Sequence, residues 1–175
     1  MFSTVTKFSI PGQSWGLSVT RNHNLLVTLF DTNQLQEYTT DGHLVRTIRL
    51  DDSIDEPRHA VELSTGQLVV CHHSDKTQHR VLLVDTEGRI VRSYGGAQGS
   101  AVGQLSGPVY LAVDSFDNVL VADFYNYRLS LLNSEMTRLG DVPLTNGFPY
   151  RLYFDQLNGL LYTGTLRGQV TVFKI

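Results

Sequence analysis

Pro108-Val109-Tyr110-Leu111-Ala112-Val113, then Asp114-Ser115-Phe116-Asp117-Asn118, then Val119-Leu120-Val121-Ala122-Asp123, and after a short loop Arg128-Leu129-Ser130-Leu131-Leu132, is the stretch whose reading decides the fold. Three short runs rich in β-branched and leucine side chains are separated by polar clusters. Asp117-Asn118 tolerates the left-handed backbone of a tight hairpin turn, so the first two runs predict an antiparallel pair. The third run follows closely enough to continue a meander.

The same order of events recurs outward from this unit. Segments that align with Pro108–Val113 begin at Ser14, Pro57 and Pro149, with successive starts 43, 51 and 41 residues apart. Each is followed by a polar turn (Arg21 to Asn24, Ser64 to Gly66, Gln156 to Gly159) and then an apolar run (Leu25 to Val27, Leu68 to Val70, Leu160 to Tyr162). A third strand is expected over Leu35–Tyr38, Arg80–Val84 and Val170–Phe173. Asp41-Gly42 and Glu87-Gly88 turn the first two units into fourth strands, Leu44–Leu50 and Ile90–Tyr94, and Asn133 to Met136 does so less clearly in the third. No stretch carries a helical stripe. A repeat of this length with four short strands is the signature of a propeller blade.

The reading is therefore all-β: one domain over 1–175, a β-propeller of four blade units at about 11–50, 54–95, 103–140 and 145–175. The last unit lacks a fourth strand, and residues 1–10, with Thr4 to Ile10 in strand period, could supply it and close the ring. Leaving roughly ten apolar side chains wet, at roughly 1.5–3 kcal/mol each, would exceed ordinary domain stability. A closed small ring, a homodimer that completes one, and part of a longer, six-bladed propeller all answer that demand.

Composition narrows the function classes. Hydrophobic residues are 41% and charged residues 18%, with net charge −3, so no basic field covers the whole surface. Cys71 is the sole cysteine, which excludes an intrachain disulfide and fits a reducing, cytoplasmic setting. No apolar run reaches the roughly 20 residues that span a bilayer, so no membrane association is expected. The glycine-rich run Gly95 to Gly107 lacks the Gly-Lys-Ser/Thr ending of a phosphate loop and is expected to connect blades.

The third unit resembles the NHL repeat, in Gly103-Gln104-Leu105-Ser106-Gly107-Pro108, Leu111-Ala112-Val113-Asp114, Asp117 to Asp123 and Asn126-Tyr127-Arg128-Leu129. Asn126, Leu129 and Arg128 stand at the positions of the motif that names the family; the other units keep the strand pattern and lose this signature. The resemblance, to the C-terminal domains of TRIM-NHL proteins in particular, implies a propeller, commonly six-bladed. It also implies partner binding on the rim where the innermost strands begin and the loops between strands two and three emerge. On that face lie Trp15, Arg58, His59, Tyr110, Tyr150 and Arg151 from the first set, and Phe30, Asn33, His72, Phe124, Tyr125 and Arg167 from the second. Aromatics and arginines are the residues that binding hot spots favour. Asp123 and Arg128 are expected to pair and fix a blade.

The function expected from the resemblance is a non-catalytic protein-interaction scaffold, such as the substrate-recognition part of a TRIM-NHL-like ubiquitin ligase system. Single-stranded RNA binding through Arg58, Arg151 and Arg167, with Trp15, Tyr110 and Tyr150 for stacking, is the alternative. Amidating lyases use an NHL-like propeller with a histidine-held metal, but only His59 stands at such a position here, against Trp15, Tyr110 and Arg151. No metal, cofactor or enzymatic activity is expected, since neither a nucleophile elbow nor a zinc-protease helix motif is present.

Overall fold

The computed structural model describes residues 4–74, 78–145 and 147–174. Among these residues fifteen strands form four antiparallel sheets arranged as a four-blade propeller. The first blade is β1 (Ser14–Val19), β2 (Leu25–Leu29), β3 (Gln34–Tyr38) and β4 (Leu44–Arg49). The second is β5 (Pro57–Glu62), β6 (Leu68–His73), β7 (His79–Val84) and β8 (Ile90–Gly96). The third is β9 (Pro108–Val113), β10 (Val119–Asp123), β11 (Arg128–Leu132) and β12 (Arg138–Pro143), with a 3-10 turn at Phe124–Asn126. The fourth has β13 (Pro149–Asp155), β14 (Leu160–Thr165) and β15 (Val170–Lys174).

Alternation along each strand sends one set of side chains to each neighbouring blade. Leu26, Leu35 and Ile48 of the first blade pack on Ala60, Leu68, Val70 and Leu82 of the second. Val69, Cys71, Val81 and Leu83, from the opposite side of the second blade, pack on Leu111, Val119, Val121 and Leu132 of the third. The third blade then offers Leu120, Ala122 and Leu129 to Leu152, Leu161 and Phe173 of the fourth. The innermost strands β1, β5, β9 and β13 line one central channel of about 300 Å³.

Among the described residues the expected closing strand does not form; residues 1–3 of the expected segment 1–10 lie outside them. Residues 4–10 carry no strand, and the fourth sheet stays three-stranded, ordered β13-β14-β15. Phe8 and Ile10 instead pack on Val27, Leu29 and Tyr38, with the Phe8 and Tyr38 rings 5.5 Å apart. The segment thus covers the side of the first blade that has no preceding blade, where burying two large apolar side chains outweighs one more ladder of hydrogen bonds. At the join of the fourth and first blades lies a cleft of about 670 Å³, bounded by Val19, Arg21 and His23 on one side and Tyr153, Phe154 and Leu157 on the other.

Candidate functional site

Every innermost strand begins with the same irregularity. Pro57 pairs with His72 and His59 with Cys71, leaving Arg58 outside the ladder. Trp15, Val109 and Tyr150 are skipped in the same way in the other blades. A β-bulge re-aims the side chain it carries, and here three of the four bulges set Trp15, Arg58 and Tyr150 at the channel rim, while the fourth turns Val109 into the core between the third and fourth blades. The register also corrects one alignment. Gly16, and not Trp15, stands level with His59, Tyr110 and Arg151, opposite Thr28, Cys71, Ala122 and Gly164. A Cβ on Gly16 would lie 2.7 Å from the Arg58 carbonyl oxygen and 2.9 Å from the His59 Cα, so β1 approaches β5 as closely as backbone allows.

The first two blades build one cluster on this rim. The Trp15 and Phe30 rings stack at 5.4 Å, and the Arg58 guanidinium carbon lies 4.6 Å from one ring centroid and 4.8 Å from the other. Arg58 Nη2 donates to Glu56 Oε2 at 2.7 Å. Glu56, which sequence reasoning missed, neutralises Arg58 within the protein. Trp15 remains 44% exposed, so the cluster shows solvent an aromatic face.

The third and fourth blades build a larger one. Phe124 stacks on Phe148 at 4.7 Å and meets Tyr125 and Tyr150 edge-on at 4.9 and 6.2 Å. Arg151 lies over Tyr150 at 4.0 Å and Tyr110 at 5.0 Å, and Arg167 lies over Phe148 at 5.8 Å. Phe148, at the hub, was missed because its loop Phe148-Pro149 reads as a connection. Its role follows from contacts between loops of two blades, which spacing does not reveal.

Three expected rim residues serve the scaffold. His59 is buried and stacked on Tyr110 at 3.8 Å. Its Nδ1 accepts the Leu111 N–H, and its Nε2 donates to the Leu17 carbonyl, each at 3.3 Å, so a neutral ring stitches three innermost strands together. His72 is also buried; its Nδ1 donates to the Asp55 carbonyl at 2.9 Å and its Nε2 accepts Arg80 Nε–H at 3.0 Å. Burial holds both rings well below the usual histidine range, at about 4. Asn33 takes a left-handed φ of 51° in the β2–β3 turn, and its carbonyl accepts the Leu50 N–H at 3.1 Å. His79 Nδ1 accepts the Gly107 N–H at 2.8 Å. Among the described residues, no three His, Cys, Asp or Glu side chains converge as a metal site. Burial pushes the Cys71 thiol up to about 12, which keeps it protonated.

The family-like motif is a clamp. Arg128 Nε donates to Asp123 Oδ2 at 2.7 Å, Nη1 to the Ser100 carbonyl and Asp141, and Nη2 to the Gln104 carbonyl. Asp123 is fully buried and also accepts the Ser106 N–H at 2.6 Å and Asn126 Nδ2–H at 2.7 Å. Burial pushes its carboxyl up, against these donors and Arg128, which pull it down. The glycine-rich run 95–107 is thereby tied to the third blade as an inter-blade connection.

No family model and no curated protein matches the chain, so the NHL likeness stands on the third unit's residues alone. Solved structures do match. Virginiamycin B lyase from Staphylococcus aureus is 14% identical, with a TM-score of 0.62 over 93% of this chain and 55% of that one. Hydrazine synthase from Kuenenia stuttgartiensis is 12% identical, with a TM-score of 0.69 over 99% of this chain and 49% of that one. The computationally designed Ika4 protein is 18% identical, with a TM-score of 0.59 over 100% of this chain and 99% of that one. The chain spans little more than half the length of the lyase it matches, and at these identities the likeness is one of fold. It nonetheless overturns the expectation that the chain is no enzyme: lyases of this architecture exist, so neither the propeller nor the lack of a nucleophile elbow excludes catalysis. No helix among the described residues is long and apolar enough to cross a membrane. The chain is a four-blade β-propeller whose bulge-bearing rim gathers two aromatic and arginine clusters.

Proposed function

We propose that the chain is a recognition module that binds a protein partner on its bulge-bearing rim. One observation carries the reading: bulges on the first, second and fourth blades aim Trp15, Arg58 and Tyr150 at one face, where the rings of Trp15, Phe30, Tyr110, Tyr150 and Phe148 hold three arginines. Rigid aromatic area and preorganised guanidinium groups are what interface anchors use, because little side-chain entropy remains to be lost on binding. The likeness of the third unit to NHL repeats supports a role in the cytoplasm as substrate recognition or adaptor for a ubiquitin ligase. The ligase chemistry itself needs a zinc-built RING, whose ligands a single cysteine cannot supply.

The test is affinity capture with the wild-type chain, followed by rebinding of the purified captured partner to the Trp15→Ala/Tyr150→Ala double variant. Loss of two aromatic anchors should weaken binding by about a hundredfold or more. Equal affinity for both forms sinks the reading.

A further inference from the structure

Charge at the rim is unevenly satisfied. Arg58 has Glu56. Arg151 and Arg167 take part in none of the ion pairs among the described residues. Both are exposed, and both lie over aromatic rings. The Arg151 guanidinium carbon lies 4.0 Å from the Tyr150 centroid and 5.0 Å from that of Tyr110, and Nη1 donates to the Tyr150 carbonyl at 2.9 Å, while Arg167 lies over Phe148. A guanidinium stacked on rings keeps its remaining N–H edge in the plane, facing outward, in the fork geometry that fits a carboxylate.

We infer that this corner of the rim receives an acidic side chain, Asp or Glu, within an extended segment of the partner, with Arg151 as its principal contact. The inference rests on the reading of the rim as a protein-binding face and names what that face selects. The distribution of charge favours one carboxylate over a nucleic-acid strand. Asp31 and Glu56 stand on the same rim beside Trp15 and Arg58, so successive phosphates leaving Arg151 for the first two blades would meet carboxylates. The chain as a whole is at −3, and a strand needs a basic stripe where this rim has one basic corner. The aromatic rings beside Arg151 accept the apolar residues that flank an acid in a peptide.

The experiment uses an array of random decapeptides, acetylated and amidated so that only side chains carry charge, probed with the full chain and followed by titration of the selected peptides. Selected sequences should carry Asp or Glu next to an aromatic or aliphatic residue. Their affinity should fall by about tenfold to a hundredfold in Arg151→Gln, as for loss of a charge-assisted hydrogen-bonded pair. It should fall less in Arg167→Gln, and stay unchanged in Arg89→Ala, whose guanidinium pairs with Asp85 in the β7–β8 turn on the opposite face. Arg151 is exposed, and an unchanged melting temperature in Arg151→Gln separates lost recognition from lost folding. Peptides that bind through Trp15 and Tyr150 without acidic enrichment overturn this inference and leave the rim reading standing. Tight, steeply salt-dependent binding of an oligouridine strand in place of peptides overturns both, as does peptide binding indifferent to Arg151→Gln and Trp15→Ala alike.

Discussion

Single residues divide into those that hold the propeller and those that face out of it, and their chemistry separates the two. His59 and His72 are neutral donors and acceptors inside the fold, at about 4 against an ordinary 6.5. A depressed histidine contributes stability that is complete above pH 6.5 and is lost as pH falls through the folded value, because the unfolded chain takes up the proton first. Urea unfolding should show a falling midpoint between pH 7 and pH 4.5. His59→Asn should flatten that decline by the share of one histidine, up to about 3 kcal/mol at the acid end. Arg128 is the other scaffold residue with a large expected effect. Arg128→Ala strands the fully buried Asp123 carboxylate and frees the Gln104 carbonyl, and should cost about 3–5 kcal/mol in equilibrium unfolding at pH 7. That pair was legible in the sequence because an acid and a base flank a two-strand loop. The histidines were legible only as candidates: the atoms that satisfy them, the Leu17 and Asp55 carbonyls, the Leu111 N–H and the Arg80 guanidinium, come from other strands and loops.

At the level of strands, period and turn chemistry located nearly every element. Arg128–Leu132 was found to the residue, and Leu68–Val70 was found short because β6 runs on through Cys71-His72-His73, where polar letters hide buried positions. The bulges were invisible, since a residue that drops out of a ladder leaves no mark on alternation until a partner strand is laid beside it. Setting Trp15 against His59, by contrast, is a slip of one residue: the segments that start at Ser14 and Pro57 already set Gly16 against His59, as the ladders do. Gly16 itself makes a sharp prediction. In Gly16→Ala the new methyl meets backbone atoms of β5 that cannot swing away, so the first two blades must separate locally. A loss of about 1–3 kcal/mol is expected by chemical denaturation, against a gain of about 0.5–1 kcal/mol for an ordinary strand glycine.

For the whole molecule, the two ends of the blade series are treated differently. The first blade's outer side is covered by Phe8 and Ile10. On the fourth blade, Tyr153, Tyr162 and Val172 form a cross-strand row on the side turned away from the third, and Tyr153 and Val172 are 65% and 50% exposed. An apolar sheet side of this kind promotes association. Sedimentation should show concentration-dependent self-association that Val172→Lys reduces, with the melting temperature unchanged within a few degrees. Persistence of the association in that variant would place the contact elsewhere. Composition and repeat spacing gave the blade number; how the ends are covered depends on contacts between residues far apart in sequence, and the pattern of strands alone pointed to the wrong use of residues 4–10.

The four bulges have one more consequence, for how such a molecule can change. A side chain in a ladder is bound to the register of its neighbours, and altering it risks the sheet. Trp15, Arg58 and Tyr150 sit where the ladder skips a residue, so each can be exchanged for another amino acid while pairing on either side continues; Val109, the fourth such residue, is buried in the core between the third and fourth blades. The propeller therefore keeps its vocabulary of contact separate from its grammar of folding: three positions, on the first, second and fourth blades, free to be respelled for a new partner without rewriting the sheet that presents them.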